Sequence, residues 1–255
     1  EDILTANGFR PRTVSVAQIR RHLRQTSAVD LGYYKSATDA HVELHWCPLK
    51  PQGLLGLDFV QLHASSVGIE LGGQDVRTTN RLHTLQLLCA HGAKHAWFRL
   101  KWLCDLAALV FPADAVDWDE AIGLARRIGT DRMVRQGVAL CERLLELPSP
   151  LRAAEVGDQS RTTVLVRFAE SALVGRDEPW YRRFRDRVRR TRYQANLRRN
   201  MGYRWMAFSQ LLRLRLEDLS TVRLPPWLFP LHYVLRPFFI LRRYVTRRSR
   251  EDTWA

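Results

Sequence analysis

The chain has 255 residues, 46% of them hydrophobic and 26% charged, which is ordinary for a globular protein of one or two domains with a sizeable core. Its four cysteines are widely spaced and include no C-x-x-C pair, which excludes a zinc ribbon and a disulfide frame and fits a reduced, cytoplasmic protein. The net charge of +14 is uneven: residues 1–150 carry 17 basic and 16 acidic side chains, residues 151–255 carry 23 and 10, so an anionic partner is expected for the C-terminal part alone.

Taken in order, Ile3 to Gly8 reads as the end of a helix stopped at Asn7-Gly8, and residues 13–25 as a short helix. Val29–Lys35 and His41–Trp46 read as two strands of an antiparallel hairpin around the polar turn Ser36-Ala37-Thr38-Asp39. Alternation puts His41, Glu43 and His45 on one face and Val42, Leu44 and Trp46 on the other. Such a His/Glu/His ladder is a zinc candidate, but its spacing of about 7 Å along one strand counts against a shared ion. Pro48, Pro51 and Gly53 close this region, with a brief extended piece near Gly68–Val76.

From Thr79 the pattern is helical. Leu82, Leu85, Leu88 and Cys89 stripe a helix over 80–94, and Leu100, Leu103, Leu106, Ala107 and Val110 stripe another over 99–111. Cys89, Cys104 and Cys141 are expected to act as small hydrophobes within these patterns. Asp117-Trp118-Asp119-Glu120 caps a helix that runs to Ile128 and stops at Gly129, and a further helix covers 131–146. Arg161–Leu173 is helical, and Trp180–Met206 is a highly basic helical stretch that includes Arg182, Arg183, Arg185, Arg187, Arg189, Arg190 and Arg192. The aromatic tail after Pro225-Pro226-Trp227 is interrupted by Pro230, His232, Arg236 and Pro237, so it does not read as a transmembrane helix.

The most informative run is His91-Gly92-Ala93-Lys94-His95-Ala96-Trp97-Phe98-Arg99-Leu100-Lys101-Trp102-Leu103-Cys104-Asp105. Lysine is rare in this chain; only Lys35, Lys50, Lys94 and Lys101 occur, and two of the four stand here beside two histidines. A compact ammonium makes a point contact to phosphate where arginine prefers a planar fork. The bland alternative is a helical pair with a solvated cationic face.

With Val42-Glu43-Leu44-His45-Trp46 before it and Asp117-Trp118-Asp119 after it, this run resembles the bacterial uncharacterised nucleotidyltransferase family, a branch of the DNA polymerase β-like superfamily; Leu224-Pro225-Pro226-Trp227 and Arg236-Pro237 resemble its C-terminal end. The resemblance implies transfer of a nucleoside monophosphate from an NTP to a hydroxyl of an acceptor, with Mg²⁺ (or Mn²⁺) as cofactor. The superfamily holds two metals on an Asp-x-Asp pair, which comes after a Gly-Ser or Gly-Gly turn, and on a third carboxylate from a neighbouring strand. Glu43 matches the third carboxylate, as catalytic and metal-binding residue. Lys94, Arg99, Lys101, His91 and His95 are the nucleotide and phosphate contacts it implies, with Asp105 orienting Lys101 or Arg99; Trp97 and Trp102 are expected in the core.

The early part of the pattern is missing. The sequence's only Asp-x-Asp, Asp117-Trp118-Asp119, reads as a helix cap, and the chain opens on Glu1-Asp2-Ile3-Leu4 without an initiator methionine. The expectation is therefore an N-terminally truncated enzyme, inactive as it stands. Its fold is expected to be α+β and mostly helical: a partial α/β core over 1–78, a helical bundle over 79–150 and a basic helical module over 151–255. The rival reading is a non-catalytic protein that binds nucleic acid or an anionic membrane surface through residues 180–206.

Overall fold

Cross-strand pairing, rather than helix packing, orders the first part of the molecule. The computed structural model describes residues 2–11, 30–49, 51, 53–111, 116–148, 151, 159–174, 180–209, 231 and 235. A short helix α1 (Asp2–Ala6) leads through Gly8, at φ +80°, into β1 (Arg10–Pro11). This strand pairs antiparallel with β2 (Asp30–Lys35), which pairs antiparallel with β3 (Ala40–His45). The polar turn lies between β2 and β3 as expected, with Asp39 in the left-handed region that Asp tolerates (φ 49°). The register sets Asp30 opposite His45, Gly32 opposite Glu43 and Tyr34 opposite His41, so these six positions share one face. The expected helix over 13–25 lies outside the described residues, as does most of the tail after 209.

Next comes a helix that is not among the expected elements. In α2 (Phe59–Ala64) Asp58 accepts from the Gln61 backbone N–H at 2.8 Å, and Gln61 Oε1 accepts from the Asp58 N–H at 2.9 Å, a complete capping box. The extended piece near Gly68–Val76 is a two-stranded hairpin, β4 (Val67–Leu71) and β5 (Gln74–Thr78), turning at Gly72-Gly73.

The rest is helical: α3 (Arg81–Lys94), α4 (Leu100–Val110), α5 (Trp118–Ile128), α6 (Asp131–Leu145), α7 (Gln159–Leu173), α8 (Trp180–Asn196) and α9 (Met201–Ser209). The fold is α+β and mostly helical, with a three-stranded and a two-stranded antiparallel sheet. Helix α6 is central and packs on α3, α4, α5 and α7. One apolar core runs from Leu49 to Ala207, so helices on both sides of residue 150 share it.

Some details of the expected stripes change. On α3 the buried positions are Leu85, Gln86, Cys89, Ala90, Gly92 and Ala93; Leu88 is only half-buried. Gln86 takes its place inside because its carboxamide is satisfied, donating to the Ala121 carbonyl at 3.1 Å and accepting from the Thr130 hydroxyl. On α4, Leu100 at the first turn is 56% exposed and Cys104 is exposed, whereas Cys89 and Cys141 are buried and their thiols are pushed up by that burial, Cys141 to about 12. Asp117 caps α5 by accepting from the Glu120 N–H, and Gly129 ends it at φ +78°.

The basic stretch is not one helix. It breaks between Asn196 and Met201, where Arg198 turns inward and donates to the carbonyls of Gly53 and, at 2.7 Å, Ile128. Arg132 from α6 donates to the Asn196 carbonyl at 3.0 Å, and Arg199 pairs with buried Asp131 at 3.0 Å. A Cβ on Gly129 would collide with the Arg198 guanidinium. Gly129→Ala is therefore expected to lower stability by about 2 kcal/mol, from left-handed strain plus displacement of Arg198, and urea unfolding measures it.

Candidate functional site

The candidate site has two halves, the polar face of the sheet and the end of α3, which lie within electrostatic reach of each other. On β3 the side chains of Glu43 and His45 point the same way and their tips converge: Glu43 Oε2 lies 3.2 Å from His45 Nε2. Their backbone spacing alone argues against a shared ion, but the reach of the two side chains closes that gap. Asp30, directly opposite His45 on β2, completes a group whose potential ligand atoms all lie within 4.8 Å of one another. His41, the third member of the expected ladder, turns instead to Asp39 at 3.5 Å and to the Tyr34 ring at 5.2 Å. Glycine opposite Glu43 leaves that carboxylate without a cross-strand side chain over it.

The second half comes from the run that begins at His91. Helix α3 ends at His95, and Ala96 and Trp97 both adopt φ 55° so that the Trp97 N–H donates to the Gly92 carbonyl at 2.8 Å. The reversal drives the Trp97 ring, fully buried, against Gly92 and Gly137; a Cβ on Gly92 would sit 2.5 Å from it. Gly92 is thus a packing glycine. Trp102 is half-buried and belongs to an aromatic cluster with His91 (5.1 Å), His95 (5.2 Å) and Phe98 (5.0 Å), over which Arg99 lays its guanidinium.

Electrostatics tie the halves together. Burial lowers the His91 pKa, the Lys94 ammonium lowers it further, the Glu43 carboxylate opposes both, and His45 adds a small lowering. His91 therefore lies within electrostatic reach of the β3 pair. Burial takes His95 down to about 3, helped by Lys94, His91, Arg190 and Arg99. Both imidazoles are neutral at pH 7 and stand among cations drawn from α3, the α3–α4 junction and α8.

Of the seven residues expected from the sequence, His91, Lys94, His95 and Arg99 gather at the end of α3, and Glu43 lies within electrostatic reach of His91. Lys101 and Asp105 form an i, i+4 ion pair at 3.0 Å on α4, with Lys101 77% exposed. Three residues escape a reading of the sequence alone. Asp30 carries no motif and is found only through strand register, His45 is disfavoured by its spacing, and Arg190 is one arginine in a crowded stretch.

A family model described as "uncharacterised nucleotidyltransferase" matches residues 1–146, which include both halves of this site. The chain belongs to the uncharacterised nucleotidyltransferase family. No curated protein and no solved structure matches it. The family match ends within the described helices, at the C-terminus of α6, yet Arg190 of α8 contributes to the charge around His95. Among the described residues no helix is long and apolar enough to cross a membrane.

Proposed function

We propose that this nucleotidyltransferase-family chain binds an NTP with its triphosphate among Lys94, Arg99 and Arg190 and a divalent cation at Glu43, for transfer of the nucleoside monophosphate to an acceptor hydroxyl. The observation that carries the reading is that the Glu43 carboxylate acts electrostatically on His91, at the helix end where Lys94, Arg99 and Arg190 gather, so the two parts that phosphoryl chemistry needs lie within reach of each other. A bound cation would neutralise phosphate oxygens and lower the pKa of the attacking hydroxyl. The residues fit that role, since Glu43 and Asp30 are hard oxygen donors on an open sheet face. Lys94 supplies a point charge and Arg99 a planar fork. His91 and His95, being neutral, serve as hydrogen-bond donors to phosphate.

With no strand-borne Asp-x-Asp in the sequence, the chain by itself is read as binding nucleotide without turning it over. Its four free cysteines support a reducing, cytoplasmic setting.

The rival, polyanion binding through residues 180–206, loses cations to the fold: Arg198 holds carbonyls and Arg199 holds Asp131. Titration calorimetry with a non-hydrolysable ATP analogue and divalent metal separates the two. Lys94→Ala is expected to weaken nucleotide binding about 10-fold or more, the worth of one charge-assisted hydrogen bond, and to leave salt-dependent heparin binding unchanged. Equal nucleotide affinity in the variant would sink the assignment of Lys94.

A further inference from the structure

We propose that Asp30, Glu43 and His45 together form one mixed nitrogen–oxygen metal site, and that it takes a first-row transition ion such as Mn²⁺, Co²⁺ or Zn²⁺ in preference to Mg²⁺. The proposal rests on the reading of Glu43 as a metal-holding carboxylate and adds the identity of its companions.

Three features carry it. First, the donors come from fixed backbone positions, because Asp30 and His45 are directly paired across β2 and β3 and Glu43 is two residues from His45 on the same face. Second, donor atoms bound about 2.0–2.2 Å from a common ion stand about 3 to 3.5 Å apart. The 3.2 Å between Glu43 Oε2 and His45 Nε2 already has that value, and Asp30 falls within 4.8 Å, a small rotamer change away. Third, Gly32 stands directly opposite Glu43, so no cross-strand side chain covers the carboxylate on the face where an ion would enter.

Donor chemistry sets the preference. Mg²⁺ demands hard oxygen ligands in near-ideal octahedral geometry and sheds water reluctantly, and it gains little from imidazole. Mn²⁺, Co²⁺ and Zn²⁺ accept imidazole and carboxylate together, with affinity rising along that series. Three protein ligands also leave coordination positions open, which triphosphate oxygens would fill.

The test uses the untagged 255-residue chain stripped with chelator. Co²⁺ is titrated and its visible d–d absorption recorded, and Mn²⁺ is titrated by EPR with Mg²⁺ as competitor. The expected results are one Mn²⁺ per chain, displacement only by at least about 100-fold excess Mg²⁺, and a Co²⁺ spectrum of nitrogen-containing coordination. His45→Gln should weaken Mn²⁺ at least about 10-fold and bring Mn²⁺ and Mg²⁺ affinities together, whereas His63→Gln, at an exposed histidine in the last turn of α2, should change neither. Circular dichroism checks that each variant is folded, and should His45→Gln not fold, Asp30→Asn serves in its place with the same expected loss. Equal affinity for Mg²⁺ and Mn²⁺ in the wild type, or Mn²⁺ binding unchanged by both His45→Gln and Asp30→Asn, would overturn the proposal. The nucleotide reading fails separately: Mn²⁺ bound with the predicted preference but no metal-dependent nucleotide binding would remove the NTP assignment and leave the metal site standing.

Discussion

Trp97→Ala is expected to cost about 3–5 kcal/mol of unfolding free energy, the range for emptying a large buried aromatic site. The ring is fully enclosed and fills a slot that only two glycines, Gly92 and Gly137, make wide enough. Its burial also offsets a local penalty. Ala96 and Trp97 both hold φ 55°, each costing about 1–2 kcal/mol for a residue with a Cβ. Without the indole nothing repays that strain, so the reversal after α3 should loosen and carry Lys94, His95 and Phe98 with it. Urea unfolding gives the magnitude. A companion substitution tests the strain: Ala96→Gly removes one left-handed penalty and should recover about 1 kcal/mol in the Trp97→Ala background. If Ala96→Gly instead destabilises both backgrounds, the left-handed strain is not what the Trp97 ring offsets.

Acid should unfold this protein through the same turn. Burial, and then the charges of Lys94, His91, Arg190 and Arg99, hold His95 at about 3 in the folded chain against 6.5 when unfolded. Between those values the unfolded chain takes up a proton that the folded chain refuses, so stability is complete above about pH 6.5 and drains away as pH falls toward 3. His91, also lowered, adds to the loss in the same direction. Melting temperatures measured from about pH 7 down to about pH 3 should fall with a slope that His95→Asn reduces. An unchanged slope in that variant would place the acid sensitivity elsewhere. Bound triphosphate should act oppositely on His95, raising its pKa because an anion offsets the surrounding cations, and the imidazole proton resonances in NMR would report it.

Much of this arrangement is legible in the sequence, and the parts that are not share a physical cause. Local signals survive folding: the Asp117 cap, the Gly129 stop and the alternation along β3 depend on neighbours a few residues away. Lys94, His91 and His95 stand out by residue type in the run they share, whereas Glu43 and Arg99 are picked out by the family resemblance. The features that escape depend on distant partners. Asp30 matters only because the strand register sets it against His45, and Gln86 is inside only because Thr130 and Ala121 satisfy it. Helix α2 is hidden by the prolines and glycine just before it, although its capping box, Asp58 with Gln61, is a readable signal. The break after Asn196 exists because Arg198 reaches carbonyls on two remote segments, which no local pattern announces.

The contact between α8 and the end of α3 has a consequence for modularity. Tyr193 gives its hydroxyl proton to the Ala93 carbonyl at 2.8 Å and accepts from Gln136 Nε2 at 3.0 Å, while Gln194 Nε2 donates to the Lys94 carbonyl at 3.4 Å. The backbone beside the chemically richest residues is thus held from a hundred positions downstream, beyond the stretch in which the family pattern is written. A chimera that keeps residues 1–146 and exchanges the C-terminal remainder would inherit the signature and lose the brace that aims it. Sequence drift in the arginine-rich half is then constrained at Tyr193 and Gln194 and freer on its solvent face, and recombination between relatives should prefer crossover points outside the span from Ala93 to Gln194.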